Sequence, residues 1–200
     1  MGLIKLNDKA LRDSLRKFLQ HTIKQGAIVV EEFNLMHGIT RIDVLVIDTY
    51  MHGFELKSDR DNLDRLPQQV HAYNSALDFI SIVVTEGWAS KAIELIPGWW
   101  GVQLALQSTD GEIQLHSLRS PIFNPKVNLR YTADLLAREE ALFLLDEIGA
   151  VENFWGATKA KICNHLIELS EPDWLRFKIN QQLKNRISLR AVLPQTPNGG

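Results

Sequence analysis

Two neighbouring segments of the sequence carry acidic and basic residues at a spacing that suits phosphodiester hydrolysis. Asp43 lies in RIDVLVID, and after eleven intervening residues Glu55 and Lys57 follow in GFELKS. Because side chains alternate along a strand, we expect Glu55 and Lys57 to share one face, which Asp43 could reach across a hairpin. Carboxylates can hold Mg²⁺ or Mn²⁺ while a nearby cation offsets charge on phosphate. We therefore expect Asp43 and Glu55 to bind metal and Lys57 to orient the attacking water or to offset that charge.

The hydrophobic pattern of the first 120 residues predicts helices and strands that would position these residues. A first helix is expected between Asn7, as its N-cap, and Gly26, as its stop. A second is expected over 63–77, with regular helix beginning near Pro67. The other expected elements are a short helix over 89–95 and strands over 27–35, 41–48, 53–58, 79–85, 99–106 and 112–118, the second and third of these strands forming a hairpin.

Beyond residue 120 the pattern indicates helices only. They are expected over 132–149, 158–169 and 170–186. The final LPQTPNGG has too few apolar groups to favour an ordered structure. We therefore expect a core over residues 1–120, a C-terminal helical lobe over 121–190 and a loose tail over 191–200.

The order of elements, together with these residues, resembles the PD-(D/E)XK nuclease superfamily. A helix, a strand, an Asp-bearing strand, an E-x-K strand, a helix and a strand match the αβββαβ order of that superfamily. Ile42 stands where the motif's name has proline. The pair Gln69 and Tyr73, one helical turn apart, resembles the Q-x-x-x-Y helix motif of the RecB-like branch. The resemblance implies an α/β, restriction-endonuclease-like core with a mixed sheet, in which Gln69 and Tyr73 lie beside the metal site.

A further acidic residue precedes the Asp-bearing strand. Glu32, in VVEEFNL, resembles the additional acidic metal ligand that many members of the superfamily carry. Glu31 is the alternative, since only one of two adjacent strand residues can face the site. The segment GFELKSDRDNLDRLPQQVHAYNSALDFISIVV is also similar to a little-described group of bacterial and phage proteins in the same superfamily. Together these resemblances imply a Mg²⁺- or Mn²⁺-dependent nuclease that acts on nucleic acid, with DNA as the expected substrate.

Several basic and aromatic residues remain open to two interpretations. Arg41 could contact a phosphate or neutralise the carboxylates. Arg60 and Arg65 could bind the nucleic-acid backbone or lie in a solvated turn with their acidic neighbours. Trp99 and Trp100 could stack on bases, although one core and one lobe-packing tryptophan is the favoured interpretation. His37, His52 and His71 show no zinc-binding spacing and are expected in loops or on helix surfaces.

Composition sets the remaining expectations. A chain of 200 residues with 45% hydrophobic residues can bury a core, while its net charge of −2 gives no support to a protein that coats nucleic acid. We expect no membrane segment, a cytoplasmic protein and a buried Cys163. The oligomeric state, a homo-oligomer included, stays open. The alternative to a nuclease is a catalytically silent nuclease-fold module, binding nucleic acid or a protein, in a phage or defence system.

Overall fold

A computed structural model describes residues 5–192, without the side chains of His37 and residues 190–192. Contacts divide the chain into two compact units, Met1–Asn128 and Leu129–Gly200. The first unit extends eight residues past the boundary expected at residue 120, because the segment after the last strand attaches to it. There the Asn124 side-chain amide donates 2.7 Å hydrogen bonds to the carbonyls of Asn74 and Leu77.

The first unit is an α/β structure with a mixed sheet. Its described helices are α1 (Asp8–Thr22), α2 (Leu66–Ala76) and α3 (Glu86–Leu95), with a short 3₁₀ helix over Met36–Gly38. Its described strands are β1 (Ile28–Leu35), β2 (Thr40–Ile47), β3 (Met51–Lys57), β4 (Phe79–Thr85), β5 (Gly101–Gln107) and β6 (Ile113–Arg119). Two local signals are confirmed: Asn7 caps α1 by accepting from the Ala10 N–H, and Pro67 lies in the first turn of α2.

The six strands form one open sheet in the same order as in the chain, from β1 to β6. β1 pairs antiparallel with β2, and β2 pairs antiparallel with β3, so the expected β2–β3 hairpin is confirmed. β3, β4 and β5 run parallel, and α2 and α3 make the two connections between them. β6 returns antiparallel to β5. This arrangement places the E-x-K strand in the interior of the sheet, where both of its faces are covered.

Helix α1 covers one face of the sheet. Leu11, Leu15 and Leu19 are at most 3% exposed and pack against side chains of β2, β3, β4 and β5. The helix also reaches the last strand, because the Ser14 hydroxyl donates a 3.0 Å hydrogen bond to the Ile113 carbonyl. Burial of this apolar stripe is the main force that holds α1 on the sheet.

Helix α2 packs on the opposite face. Its Tyr73 is fully buried, stacks on Trp100 with ring centroids 6.1 Å apart, and contacts Glu55 of β3. The close approach requires a glycine in β3: a Cβ on Gly53 would lie 2.5 Å from the Leu77 side chain. Alternation along β3 therefore gives one face to α1 and the other to α2.

The second unit is helical over its described residues. It contains α4 (Leu129–Ala133), α5 (Arg138–Glu147), α6 (Lys159–Leu169) and α7 (Pro172–Val192). The single helix expected over 132–149 is wrong, because the chain turns between α4 and α5 and Glu140 accepts the Ala137 N–H at 2.7 Å to begin α5. Cys163 is buried, as expected.

No described helix of either unit is both long and apolar enough to cross a membrane. The tail expected over 191–200 lies almost wholly outside the described residues.

Candidate active site

A polar cleft of about 370 Å³ opens beside β2, β3 and the start of α2. Asp43, Glu55, Lys57, Arg65 and Gln69 all line it. These residues come from two strands and a helix that the hairpin and the β3–α2 connection bring together. The structure thus places most of the residues singled out by spacing around one cavity, which we call the Glu55 cleft.

Asp43 lies where the sheet ladder is interrupted. Val44 pairs with Glu31 of β1 and with Phe54 of β3. The next position at this end of the three strands is occupied by Asp43, Glu32 and Glu55. None of these three is paired through its backbone with the others. In place of a ladder bond, the carboxylate of Asp43 accepts the Leu56 N–H at 2.8 Å. Asp43 is thereby fixed next to the E-x-K strand.

The electrostatics of Asp43 reflect crowding of negative charge. Burial, and then the nearby charge of Glu55, raise the pKa of Asp43 to about 7, against opposing contributions from the Leu56 N–H, Arg12 and Lys57. A buried carboxylate near another carboxylate is costly to ionise. A cation entering the cleft would relieve that cost.

Glu55 is the centre of a buried hydrogen-bond network. Lys57 Nζ and Gln69 Nε2 donate to Oε1 of Glu55 at 2.7 and 2.6 Å, and the Tyr73 hydroxyl is 2.7 Å from Oε2. Lys57 also donates to Gln69 Oε1 at 3.1 Å. Glu55 is 1% exposed and Lys57 6% exposed. Both side chains share one face of β3, as alternation requires, and helix α2 closes the network.

Tyr73 links this network to the neighbouring strand. Its hydroxyl lies 2.7 Å from both the Arg41 carbonyl and Glu55 Oε2, and it can donate its one proton to either. Burial, followed by the charge of Glu55, strongly raises the pKa of Tyr73. The phenol is therefore neutral at physiological pH and acts as a hydrogen-bond donor.

Glu31 and Glu32, the two alternatives for an additional acidic ligand, occupy different surroundings. Glu31 pairs with Arg16 at 2.6 Å. Glu32 adopts a left-handed backbone with φ 55°, and its carboxylate lies 2.8 Å from Arg12 and 2.5 Å from Arg41. Glu32 lies at the same position along its strand as Asp43 and Glu55 do along theirs. Both of its carboxylate oxygens face arginines, so its negative charge is paired with Arg12 and Arg41.

The residues that the structure describes contain no group of three or more His, Cys, Asp or Glu side chains placed to hold a metal ion. Arg12 lies between the acidic residues: its guanidinium donates to the Asp43 carbonyl at 3.0 Å and is 3.8 Å from Asp43 Oδ1. Of Glu31, Glu32, Asp43 and Glu55, the two that line the Glu55 cleft are Asp43 and Glu55.

Arg12 is the main site residue that sequence reasoning missed. It lies in α1, 31 residues before Asp43, and its side chain is only 12% exposed. From its helical spacing, Arg12 looks like an ordinary surface residue. The one sequence signal that could have indicated a site role is its position next to the apolar stripe of α1. Asp61, one of the acidic neighbours of Arg60 expected in a solvated turn, lines the Glu55 cleft and accepts from the N–H and hydroxyl of Ser58 at 2.8 and 2.6 Å.

The other basic candidates separate into two groups. Arg41 and Arg65 are exposed and line the Glu55 cleft, whereas Arg60 is exposed but is not among its lining residues. Arg41 makes the 2.5 Å ion pair with Glu32, so neutralisation of a carboxylate is the role that the structure displays. Arg41 and Arg65 both lie where they could also contact a phosphate.

Two expectations about aromatic and histidine residues are settled by the fold. Trp100 is fully buried and donates to Asn74 Oδ1 at 2.9 Å, so it is a core residue, while Trp99 packs at its edge with ring centroids 6.3 Å apart. His71 is exposed on α2, as expected. The expectation for His52 is wrong: it lies in β3, stacked on Phe54, because Tyr50 and not His52 forms the turn before this strand.

Comparison with known proteins places the chain in a phage family. The family model described as Bacteriophage P4 protein cII matches residues 5–191. Protein cII of Enterobacteria phage P4 is 23% identical over 123 residues, which cover 62% of this chain and 46% of that protein, so the match spans less than half of the relative's length. No solved structure matches the chain. Because the family model spans nearly the whole sequence, the chain belongs to the Bacteriophage P4 protein cII family.

Proposed function

We propose that this chain is a metal-dependent nuclease with a restriction-endonuclease-like core, which hydrolyses phosphodiester bonds of nucleic acid and takes DNA as its substrate. The order α1, β1, β2, β3, α2, β4 supports the fold. One observation carries the function. The buried Glu55 carboxylate receives Lys57, Gln69 and Tyr73 within 2.7 Å, beside Asp43 in an open polar cleft.

The donor set of the Glu55 cleft fits Mg²⁺ or Mn²⁺. Carboxylate oxygens are the ligands that these cations prefer. Glu55 Oε1 already accepts two hydrogen bonds, whereas Oε2 faces one donor, Tyr73, and keeps a second lone pair for a cation. Asp43 and Glu55 would hold the ion. The Oδ1 oxygen of Asp43 lies 3.8 Å from Arg12, beyond hydrogen-bond distance. When bound, the metal lowers the pKa of a water ligand and neutralises charge on the phosphate.

The protein's own groups have separable tasks in this proposal. Lys57 places a positive charge at the cleft, where it orients the attacking water or stabilises charge on a phosphate oxygen. Gln69 binds both Glu55 and Lys57, at 2.6 and 3.1 Å, and so fixes their relative orientation. Tyr73 ties Glu55 to β2 through the Arg41 carbonyl. Gln69 and Tyr73 are therefore positioning residues.

The rim of the Glu55 cleft supplies groups for a nucleic-acid backbone. Arg41 and Arg65 are exposed there, and a guanidinium can bind a phosphate through two parallel hydrogen bonds. Asp8 and Asp61 also line the cleft. The mixed charge favours a substrate whose phosphates are partly neutralised by bound cations.

A second candidate function is a catalytically silent module that retains the fold and binds nucleic acid or a protein. The observation in its favour is the engagement of both Glu55 oxygens and both Glu32 oxygens by groups of the protein. In such a module the acidic and basic residues would stabilise the fold and no cation would be bound.

Incubation with linear and circular DNA and RNA, single- and double-stranded, distinguishes the two functions. We expect cleavage with Mg²⁺ or Mn²⁺ and none with EDTA. Asp43→Asn, Glu55→Gln and Lys57→Met should each lower the rate by about 10²-fold or more, whereas the exposed Asp64→Asn should not. Equal cleavage in EDTA would reject the mechanism. Binding of nucleic acid without cleavage under any of these conditions would favour the silent module.

A further inference from the structure

A second cleft, of about 340 Å³, lies on the face of the sheet that α1 covers. Phe18 and Thr22 near the end of α1 form one wall, and Phe54, Ser81 and Gln103 of the sheet form the floor. It is separate from the Glu55 cleft, because Phe54 and Glu55 project from opposite faces of β3. We call it the Gln103 cleft. A ligand could bind there whether or not the chain is a nuclease.

Gln103 has an unsatisfied amide. The residue is 5% exposed, and its Oε1 atom is buried with no hydrogen-bond partner among the described residues. Its Nε2 has one long contact, 3.4 Å from the Ser117 hydroxyl. Burying a carbonyl oxygen without a donor is unfavourable, so a buried amide of this kind marks a place where a further group supplies the missing hydrogen bond.

Two more polar groups of the cleft are already fixed. His52 Nε2 and the Ser81 hydroxyl are 2.9 Å apart, and Ser81 is 1% exposed. Gly101 leaves room for this contact, because a Cβ on Gly101 would collide with the Ser81 hydroxyl. Burial lowers the pKa of His52 to about 4, which leaves the imidazole neutral. Polar groups at the floor are therefore preorganised and uncharged.

The walls of the cleft select against charge and in favour of flat rings. None of the described residues that line it is Asp, Glu, Lys or Arg. A charged ligand would lose its hydration there without gaining a counter-charge. Phe18 and His52 line the cleft and are partly exposed, and His52 is stacked on the buried ring of Phe54, with centroids 4.1 Å apart. Such surfaces favour the faces of other aromatic rings.

We infer that the Gln103 cleft binds a small uncharged aromatic molecule with a carboxamide-like edge, the edge that nucleobases and aromatic amides share. Rotation of the Gln103 amide would bring its Oε1, buried in the free protein, to an N–H of that edge, and the carbonyl of the edge would accept from an N–H of Gln103. The ring would lie against Phe18 and His52. The volume falls within the range of small-molecule sites in proteins.

Titration of the ¹⁵N-labelled full chain with uracil, benzamide and toluene tests this inference. Uracil and benzamide carry the edge, whereas toluene has only the ring. We expect shifts at Gln103, Ser81 and Ser117 with one or both amides below about 10 mM, and at least roughly tenfold weaker binding of toluene. Shifts with uracil alone would assign a nucleobase site, and shifts with both would assign a general carboxamide site.

Two variants keep the test decisive. Gln103→Met retains length without the amide, so it should weaken binding by roughly tenfold or more and leave the melting temperature unchanged or raised. The matched control is Gln114→Met, on exposed β6 sheet surface, which should bind as wild type. Thr22→Trp, at an exposed position on the cleft wall, should block binding without altering the floor.

Three outcomes would overturn the inference. The first is the lack of any shift with uracil and benzamide up to about 10 mM, a result that a water molecule bound to Gln103 would produce. The second is wild-type affinity in a folded Gln103→Met or in Thr22→Trp. The third is a set of shifts confined to the Glu55 cleft.

Discussion

Lys57 donates a 2.7 Å hydrogen bond to Glu55, and the two side chains are only 8% and 2% exposed. A buried ion pair contributes little net stability compared with an apolar pair, but loss of one partner leaves an uncompensated charge. The contact therefore makes folding and the proposed chemistry depend on the same two side chains.

Replacing Lys57 tests the cost of that uncompensated charge. Lys57→Met should lower the free energy of unfolding by about 3 kcal/mol, because Glu55 would retain only Gln69 and Tyr73. Urea denaturation monitored by circular dichroism measures it. The control is Lys9→Met: Lys9 pairs with Asp13 at 2.6 Å but is 84% exposed, and its loss should cost less than about 0.5 kcal/mol. Similar losses in the two variants would show that Glu55 and Lys57 are not buried together.

Asp43 should make stability depend on pH in metal-free buffer. Its pKa is about 7 in the folded protein against an ordinary value of 3.8, so the folded state binds the proton more tightly. Stability is therefore lost as pH rises from about 4 to about 7. Asp43→Asn removes this cost, and we expect the variant to match wild type near pH 4 and to exceed its stability by up to about 4 kcal/mol at pH 8.

Melting curves across this pH range, with Asp64→Asn as an exposed acidic control, measure the effect. A clear loss of stability in Asp43→Asn at pH 8 would mean that the Asp43 charge is stabilised by its neighbours and not opposed by Glu55.

Metal should reverse the order of stability of wild type and Asp43→Asn at pH 8. A cation that binds only the folded state raises the melting temperature with its concentration. We expect Mg²⁺ or Mn²⁺ to stabilise wild type at pH 8 and to have little effect on Asp43→Asn, while Asp64→Asn should respond as wild type. A differential scanning fluorimetry titration against an EDTA baseline measures the shifts. Equal shifts in all three proteins would place the metal elsewhere.

Arg12 is expected to oppose metal binding while it stabilises the metal-free fold. Arg12→Met should lower metal-free stability by about 2 kcal/mol, since Glu32 and the Asp43 carbonyl lose a partner. The same change should increase the rise in melting temperature caused by Mn²⁺, because a cation next to Asp43 is removed and Glu32 is released. Arg16→Met is the control: Arg16 pairs with Glu31 but is 49% exposed. A smaller metal response in Arg12→Met would contradict this role.

Tyr73 should affect activity through position and not through chemistry. Tyr73→Phe keeps the buried ring but leaves the Arg41 carbonyl and Glu55 without the hydroxyl, at a cost of about 1–2 kcal/mol in stability. If the chain is a nuclease, the rate should fall about tenfold, less than in Glu55→Gln, with the pH profile unchanged. Tyr50→Phe, at a position 45% exposed, provides the control. A loss in Tyr73→Phe as large as in Glu55→Gln would assign the phenol a direct role.

Much of the sheet could be predicted from local patterns, since β-branched runs separated by turn residues define strands and a hairpin. The shared face of Glu55 and Lys57 follows from alternation, and the approach of Gln69 and Tyr73 to it follows from helical spacing once α2 packs behind β3. These relations involve residues close in sequence, whose geometry is fixed by one or two elements.

The relations that sequence could not supply are set by tertiary packing. The position of Arg12 depends on how α1 crosses the sheet, and the left-handed backbone of Glu32 interrupts a strand that alternation treats as regular. At the break between α4 and α5, the Glu140 side chain accepts the Ala137 N–H, a contact that the helical spacing of 132–149 does not reveal. The Gln103 cleft likewise arises because α1 ends before it covers the whole sheet.

The order of strands in the sheet has a consequence for how the chain acquires its structure during synthesis. Each strand pairs with the strand made just before it, so no early strand must wait for a later one to be inserted beside it. Such sequential pairing keeps loop-closure entropy small and favours rapid growth of the sheet as the chain emerges. The exception is α1, made first, which contacts β6 through Ser14 and Ile113, 99 residues apart. Ile113 and Leu115 of β6 also pack against the cluster that contains Leu11, Leu15 and Leu19, so the apolar stripe of α1 is incompletely covered until β6 is made, and apolar surface exposed in this interval favours aggregation.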